Sequence, residues 1–280
     1  MTSLHVLATG PLVTIQDRGR LGLAHLGVAR AGALDTPAAA LANRLVGNDG
    51  DAAVLEVVLG GLEVRVDAGC WIAVTGAGHP HASAEWLPAG VTFRVDAPST
   101  GVCGYVAVAG GIAVPPVLGS RSTDTLAWVG PPRVEPGAVL PVGRAGGRPR
   151  PLDTPRPPRR GPLRVRVGPR ADWFAGDALG RLCAAPYVVA ADSNRIGLRL
   201  DGPPIPRKRD GELPSEGMVL GAVQVPPDGV PIVFLADHPP TGGYPVLAVV
   251  DEDDLWQCAQ LRPGEEVRFS RVRSPAGSTG

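Results

Sequence analysis

The chain has almost no lysine: among 27 basic residues Lys208 stands alone, and every other one is arginine. A P-loop needs the lysine of its GK[ST] run on the phosphates, and Lys208 lies in Arg207-Lys208-Arg209, so that kind of nucleotide site is excluded. A carboxyl-carrier domain needs a biotinylated lysine, normally between methionines, and an amidase with a Ser–Ser–Lys relay needs a placed one; neither is available. An excess of one charge is also missing. The 27 basic residues meet 27 acidic ones, without the strongly basic balance that marks a nucleic-acid partner. No run approaches the roughly 18 apolar residues of a membrane span, and the opening MTSLHVLATG lacks the charged-then-apolar pattern of a signal peptide. A cytoplasmic protein is therefore expected, with no membrane and no nucleic-acid partner. The four cysteines, Cys70, Cys103, Cys183 and Cys258, are 33, 80 and 75 residues apart. Without a CxxC pair there is no zinc knuckle or redox motif, and they read as small core hydrophobes.

What is abundant is glycine (38) and proline (31), with aromatics at only 4% and hydrophobic residues at 44% of 280. That combination favours many short strands joined by turns, in one large or two medium domains. Six prolines between Pro149 and Pro162, with no periodic apolar pattern, mark residues 144–162 as an extended linker. Its arginines also offer an anion-binding patch as an alternative to a solvated linker. The expected organisation is a β-rich domain over 1–143, the linker, a second β-rich domain over 163–272 and a disordered tail over 273–280.

In the first half, Asp35 or Thr36 can cap a helix, Pro37 suits its first position and Gly47 its left-handed stop. Strands are expected at residues 4–8, 62–66, 71–75, 91–95 and 105–109. In the second half they are expected at 163–167, 187–191, 198–200, 218–225, 231–236, 246–250 and 267–269, with helical stretches at 171–184, interrupted at Gly176, and at 252–260. Spacing of this kind argues for barrels or sandwiches. The fold class expected is mainly β with a few short helices, as two linked β-barrel-like domains.

Five segments recur in order along almost the whole chain. They are TIQDRGR (14–20) with AGALD (31–35) and ANRLVGN (42–48); VLE (54–56) with TGA (75–77); YVAVAGGI (105–112) with GSRSTD (119–124); SNRIG (193–197) with LRLDG (198–202); and SEG (215–217), GAVQVPPDG (221–229) and DHPPTGGYP (237–245). This series resembles the family that holds the C subunit of 5-oxoprolinase, KipA and allophanate hydrolase subunit 2. The resemblance implies a cyclophilin-like second domain and a stable partner of the B-subunit or KipI type, with a third, lactam-opening subunit in some complexes. It also implies ATP for the complex and carboxybiotin, where used, on a separate chain. In urea carboxylase, related halves move CO₂ from carboxybiotin to an amide nitrogen; in bacterial 5-oxoprolinase the complex opens a lactam at the expense of ATP. The chain departs from the family at residues 126–130, LAWVG, and at Pro239-Pro240, both near presumed substrate loops.

The candidate catalytic residues are Gln16, Asp17, Glu56, Ser193, Arg195 and Glu216; the candidate binding residues are Arg18, Asn194, Asp237, His238, Thr241, Gly242, Gly243 and Tyr244. Gln16, Asp17 and Arg18 read as loop residues on a strand end, where Gln16 can bind an amide and Arg18 an anion through its planar fork; the alternative is a turn network fixed by Asp17 and Arg20. Glu56, inside an apolar run, is either paired to an arginine or raised in pKa for proton transfer. Ser193-Asn194-Arg195 offers a hydroxyl, an amide and a guanidinium to an oxyanion. Glu216 is a base or a solvent-facing carboxylate. Thr241–Tyr244 is the strongest candidate, its glycines expected at φ > 0 so that backbone N–H groups approach a ligand closely, against a plain hairpin turn. Asp237-His238 beside it supplies a charge and a titratable ring. His79-Pro80-His81 lacks a third ligand and reads as a surface turn; no metal is expected. The function expected is a subunit of an ATP-dependent amide- or lactam-processing enzyme, weakly active alone. The alternatives are a regulatory module that antagonises a KipI-type kinase inhibitor and a stand-alone peptide-binding fold.

Overall fold

The computed structural model describes residues 2–78, 83–150, 159–209, 211 and 213–272. The His79/His81 pair and the expected 273–280 tail lie outside them, as do residues 151–158 of the expected linker. The chain is mainly β with a few short helices, and it divides into two compact units, residues 1–157 and 158–280. Among the described residues no helix is long and apolar enough to cross a membrane.

The first unit runs β1 (Ser3–Ala8), β2 (Leu12–Gln16), α1 (Thr36–Val46), β3 (Val54–Val58), β4 (Leu62–Val66), β5 (Cys70–Gly76), β6 (Ala84–Leu87), β7 (Thr92–Val95), β8 (Cys103–Val108) and β9 (Val139–Pro141). Two sheets form, in the orders β7-β4-β1-β9 and β2-β3-β8-β5-β6, with every pairing antiparallel. Leu4, Val6, Leu62 and Val64 from the first sheet share one core with Val13, Ile15, Leu55, Val57 and Ile72 from the second. Period-2 alternation therefore sends Thr14, Gln16 and Glu56 to the other face of the five-stranded sheet. That face carries α1, which packs across β5 and β8. The helix begins as its capping residues predict: Asp35 Oδ1 accepts the Ala38 N–H at 2.9 Å, and Gly47 closes the helix at φ 80°.

The second unit runs β10 (Leu163–Val167), α2 (Ala178–Ala184), β11 (Tyr187–Val189), β12 (Gly197–Asp201), β13 (Glu216–Gly217), β14 (Ala222–Gln224), β15 (Ile232–Phe234), β16 (Thr241–Gly242), β17 (Val246–Val250), α3 (Leu255–Cys258), β18 (Glu266–Val267) and β19 (Phe269–Arg271). Eight of these strands make one sheet, β18-β11-β12-β15-β14-β17-β10-β19. Its edges, β18 and β19, are separated in sequence by Arg268 alone, so one run of chain pairs with β11 at its start and with β10 at its end. The sheet is thereby a nearly closed barrel, which leaves little exposed edge.

Several expected elements are shorter. The 267–269 strand is two strands, because the chain must change partners at Arg268. The 171–184 stretch is a 3-10 turn, Ala171–Trp173, and the helix α2, separated by extended Phe174 and by Gly176 at φ 58°. The 252–260 helix is a 3-10 turn, Glu252–Asp254, followed by one-turn α3. The 218–225 strand starts at Ala222, since Gly221 at φ 80° turns the chain and leaves Val219 exposed. Cys70, Cys103 and Cys258 are buried free thiols; burial pushes Cys258 up to about 12.

Candidate functional site

In the first unit a buried polar row crosses the helix-bearing face of the sheet. Register puts Thr14 opposite Glu56, Glu56 opposite Tyr105 and Tyr105 opposite Thr75, and all four are essentially inaccessible. Each member, or Gln16 beside it, holds a successive point of the loop that enters α1. Gln16 donates to Thr14 Oγ1 and Thr123 O, both at 3.0 Å, and accepts the Gly32 N–H at 3.2 Å. Glu56 Oε2 accepts the Leu34 N–H at 3.0 Å and the Tyr105 hydroxyl at 2.8 Å; that hydroxyl accepts the Asp35 N–H at 2.7 Å. Thr75 Oγ1 donates to Ala38 O at 2.7 Å. Burial, and then the Glu56 carboxylate, push the Tyr105 hydroxyl far above its ordinary range, so it remains a donor.

The moored loop runs backbone against backbone with residues 17–20. A Cβ on Gly19 would lie 2.5 Å from Arg30 O, and Ala31 itself sits at φ 54°, where side chains are strained. Asp17 ties this double loop to the GSRSTD segment. Its Oδ1 accepts the Ser120 and Ser122 hydroxyls at 2.6 Å and the Gly19 N–H at 2.8 Å, and its Oδ2 accepts the Arg121 N–H at 2.6 Å. Burial alone would raise the Asp17 carboxyl, but these four donors outweigh it and hold it below its usual range. Arg20, 3% exposed, donates to Val117 O at 3.1 Å and Ser122 O at 2.6 Å. Arg18 is exposed and meets Asp51 at 3.3 Å. Gln16 is thus the last residue of β2 rather than a loop residue, and Glu56 takes a tyrosine hydroxyl and a backbone amide.

In the second unit an aspartate again joins two of the recurring segments. Asp237, fully buried, takes Arg195 in a two-pronged pair, Nε–Oδ2 2.8 Å and Nη2–Oδ1 3.0 Å, and its N–H donates to Arg195 O. Next to it His238 stacks on Phe234 with centroids 5.8 Å apart, and its Nδ1 lies 2.8 Å from Pro239 O. Ser193 and Asn194 shape the turn before β12: the Ser193 hydroxyl bridges the Arg199 N–H and O, while Asn194 Oδ1 accepts the Ile196 N–H at 2.8 Å.

Thr241-Gly242 is a two-residue strand paired with Glu216-Gly217, so it is not a left-handed glycine turn. Neither Gly242 nor Gly243 has positive φ. What favours glycine is crowding: a Cβ on Gly242 would meet Gln224 Nε2 at 3.0 Å, and one on Gly243 would meet Leu213 O at 3.2 Å. Gly243 O accepts the Leu213 N–H, and Tyr244 O accepts Gln224 Nε2 at 3.0 Å. The Thr241 and Tyr244 hydroxyls make no hydrogen bond among the described residues; Thr241 is exposed and Tyr244 half-buried. Beside this strand Glu216 is gripped by the Arg170 guanidinium, which holds its carboxyl below the usual range, opposite to the raised value a base at neutral pH needs. Ser120, Ser122, Tyr105, Arg170 and Gln224 were not among the sequence candidates. Gln224 had a readable signal, a polar residue in the apolar run AVQV, as Glu56 has in VLEVV. Among the described residues no group of three or more His, Cys, Asp or Glu could hold a metal ion.

Residues 26–271 match the family described as carboxyltransferase domain, subdomain A and B. The chain is 37% identical over 285 residues to the C subunit of 5-oxoprolinase from Escherichia coli (strain K12), covering 95% of this chain and 90% of that protein. Among solved structures, that of TTHA0988 superposes with a TM-score of 0.86 at 40% identity, and that of Kluyveromyces lactis urea amidolyase with 0.88 at 28%. These cover 96% and 97% of this chain, but this chain spans only 55% of the TTHA0988 chain and 19% of the urea amidolyase chain.

Proposed function

Because this chain belongs to the carboxyltransferase domain family, subdomains A and B, we propose that it is one component of a hetero-oligomeric, ATP-dependent hydrolase that opens a lactam or processes a related amide. The observation that carries this reading is the end-to-end match to the C subunit of a 5-oxoprolinase, 95% of one chain against 90% of the other. The partner in this reading is a protein of the B-subunit or KipI type, and a third subunit carries the lactam-opening step. Two loops of the first unit support a docked partner. Arg20 stitches residues 20–27 to residues 117–130, and these loops expose Leu21, Leu26, Leu118 and Trp128 at 57%, 62%, 52% and 54%. Leu118 and Trp128 do so at positive φ, a strained way to present an apolar side chain to water.

The second unit supplies the polar contacts. The hydroxyls of Thr241 and Tyr244 bind the lactam carbonyl and its neighbours; β13 and β16 hold Thr241 beside Arg170–Glu216, and Gln224 Nε2 holds the Tyr244 carbonyl. Asp17, Glu56, Arg195 and Asp237 act as positioning residues, since their polar atoms hold loops. The test is reconstitution of this chain with the neighbouring subunits, ATP and 5-oxoproline. ATP turnover that requires both the lactam and this chain is expected; turnover indifferent to either contradicts the proposal.

A further inference from the structure

The chain carries no net charge, yet one cleft of its first unit is strongly basic. It has a volume of about 650 Å³, and among the described residues Arg44, Arg144, Arg148 and Arg150 line it against a single acidic side chain, Asp49. That volume lies within the roughly 300–1,000 Å³ typical of small-molecule sites. None of the four guanidinium groups has an ion-pair or hydrogen-bond partner among the described residues. Four like charges gathered around one concavity against one carboxylate among the described residues create a potential that an external anion relieves.

The walls are built rather than incidental. Asn48 Nδ2 donates to Val108 O and Oδ1 accepts the Gly110 N–H, both at 2.8 Å, fixing the end of α1 to the end of β8. The stretch bearing Arg144 and Arg148 lies directly on this floor: a Cβ on Gly47 would be 2.7 Å from Arg148 O, and one on Gly110 would collide with Gly143 O. Of the glycines that line the cleft, Gly50 and Gly146 have open space where a Cβ would sit, so a ligand can approach the backbone there. The carbonyl end of α1 would oppose an anion, but the Gly47 N–H caps the Arg44 and Asn43 carbonyls and Arg44 adds a charge in the last turn. Arginine presents a planar fork that grips phosphate through two parallel hydrogen bonds. With the P-loop excluded by the lack of lysine, arginine is the residue left in this chain to bind a phosphate chain.

We propose that this cleft is a polyphosphate site whose guanidinium groups take the phosphates of a nucleoside triphosphate. That the ligand is a nucleotide rests on the ATP-dependent reading above; the anion site itself does not. The test uses the full-length chain and direct binding of inorganic tripolyphosphate, with ATP and AMP as competitors, while thermal melting is followed on the same preparations. Tripolyphosphate binding is expected, ATP competing and AMP competing far less. The Arg144→Ser/Arg148→Ser variant should weaken both polyphosphates about tenfold or more, as loss of charge-assisted hydrogen bonds implies, with melting unchanged because both side chains are exposed. Unaltered affinity in that variant overturns the proposal, as does failure of tripolyphosphate and ATP to bind. Tighter binding of a poly-glutamate peptide or a single-stranded oligonucleotide than of tripolyphosphate overturns it too, assigning the cleft to an acidic partner or to a nucleic acid. A reconstituted complex that turns over no lactam while tripolyphosphate still binds would remove the proposed function and leave the site standing.

Discussion

The two units use an aspartate for the same purpose with opposite chemistry. In the first, Asp17 joins residues 17–20 to the GSRSTD segment through hydroxyls and backbone amides alone. In the second, Asp237 joins the DHPPTGGYP segment to SNRIG through the buried Arg195 guanidinium. A carboxylate held by neutral donors leaves no stranded charge when it is removed, only donors short of an acceptor. A buried ion pair involves a charge on each side, so truncating one partner removes charge-assisted hydrogen bonds from the other. The second unit is therefore the less forgiving of the two.

That contrast sets the order of expected effects. Arg195→Ala should destabilise the second unit by about 3–5 kcal/mol, because the buried Asp237 carboxylate loses a two-pronged guanidinium contact. Hydrogen exchange at β12 and β15 reads this locally, with little change at β2 and β3. Asp17→Ala should cost about 2–3 kcal/mol, from hydroxyls and amides left short of an acceptor, read at β2 and β3. If the two variants cost the same, the distinction between the locks fails.

The Asp17 lock also carries a pH signature. Its folded carboxyl is held below the ordinary 3.8, so protons bind the unfolded chain more readily. The stability it contributes is fully present above the unfolded value and is lost as pH falls below 3.8 through the lowered folded value. Asp17→Asn removes that acid-limb dependence, and acid titration of melting in the two proteins checks it.

How much of this was readable follows from range. The α1 boundaries were legible because cap, proline and terminal glycine sit within the element itself, and β4 and β17 because alternation or an unbroken apolar run is local. The two-residue strands β13 and β16 were not, since they exist through pairing across the intervening 218–240 stretch and contain glycines that carry no strand signal. Glu56 was conspicuous as a carboxylate among valines, but its partners, Tyr105 and the Leu34 amide, are 49 and 22 residues away. Arg195 and Asp237 were each singled out, yet only the fold shows that they engage each other. The TGGYP glycines were noticed for the wrong reason. Crowding against Gln224 and Leu213, rather than positive φ, favours them.

Gly243→Ala sharpens that last point and is the smallest stability change. A Cβ 3.2 Å from Leu213 O needs a shift of a few tenths of an ångström with no left-handed penalty. A loss of about 1 kcal/mol or less in chemical denaturation is expected. A left-handed position would show a larger loss.

The central claim is that the aspartates and their partners hold the loops, whereas Thr241 and Tyr244 meet the substrate. Turnover of ATP with 5-oxoproline by the reconstituted complex, measured with the Thr241→Ala/Tyr244→Phe variant of this chain, tests it most directly. Melting and co-elution with the partner should match the unaltered chain, because neither hydroxyl has a partner among the described residues. Turnover should fall about tenfold or more for the loss of two substrate hydrogen bonds. Unchanged turnover in a complex that assembles normally would contradict the account.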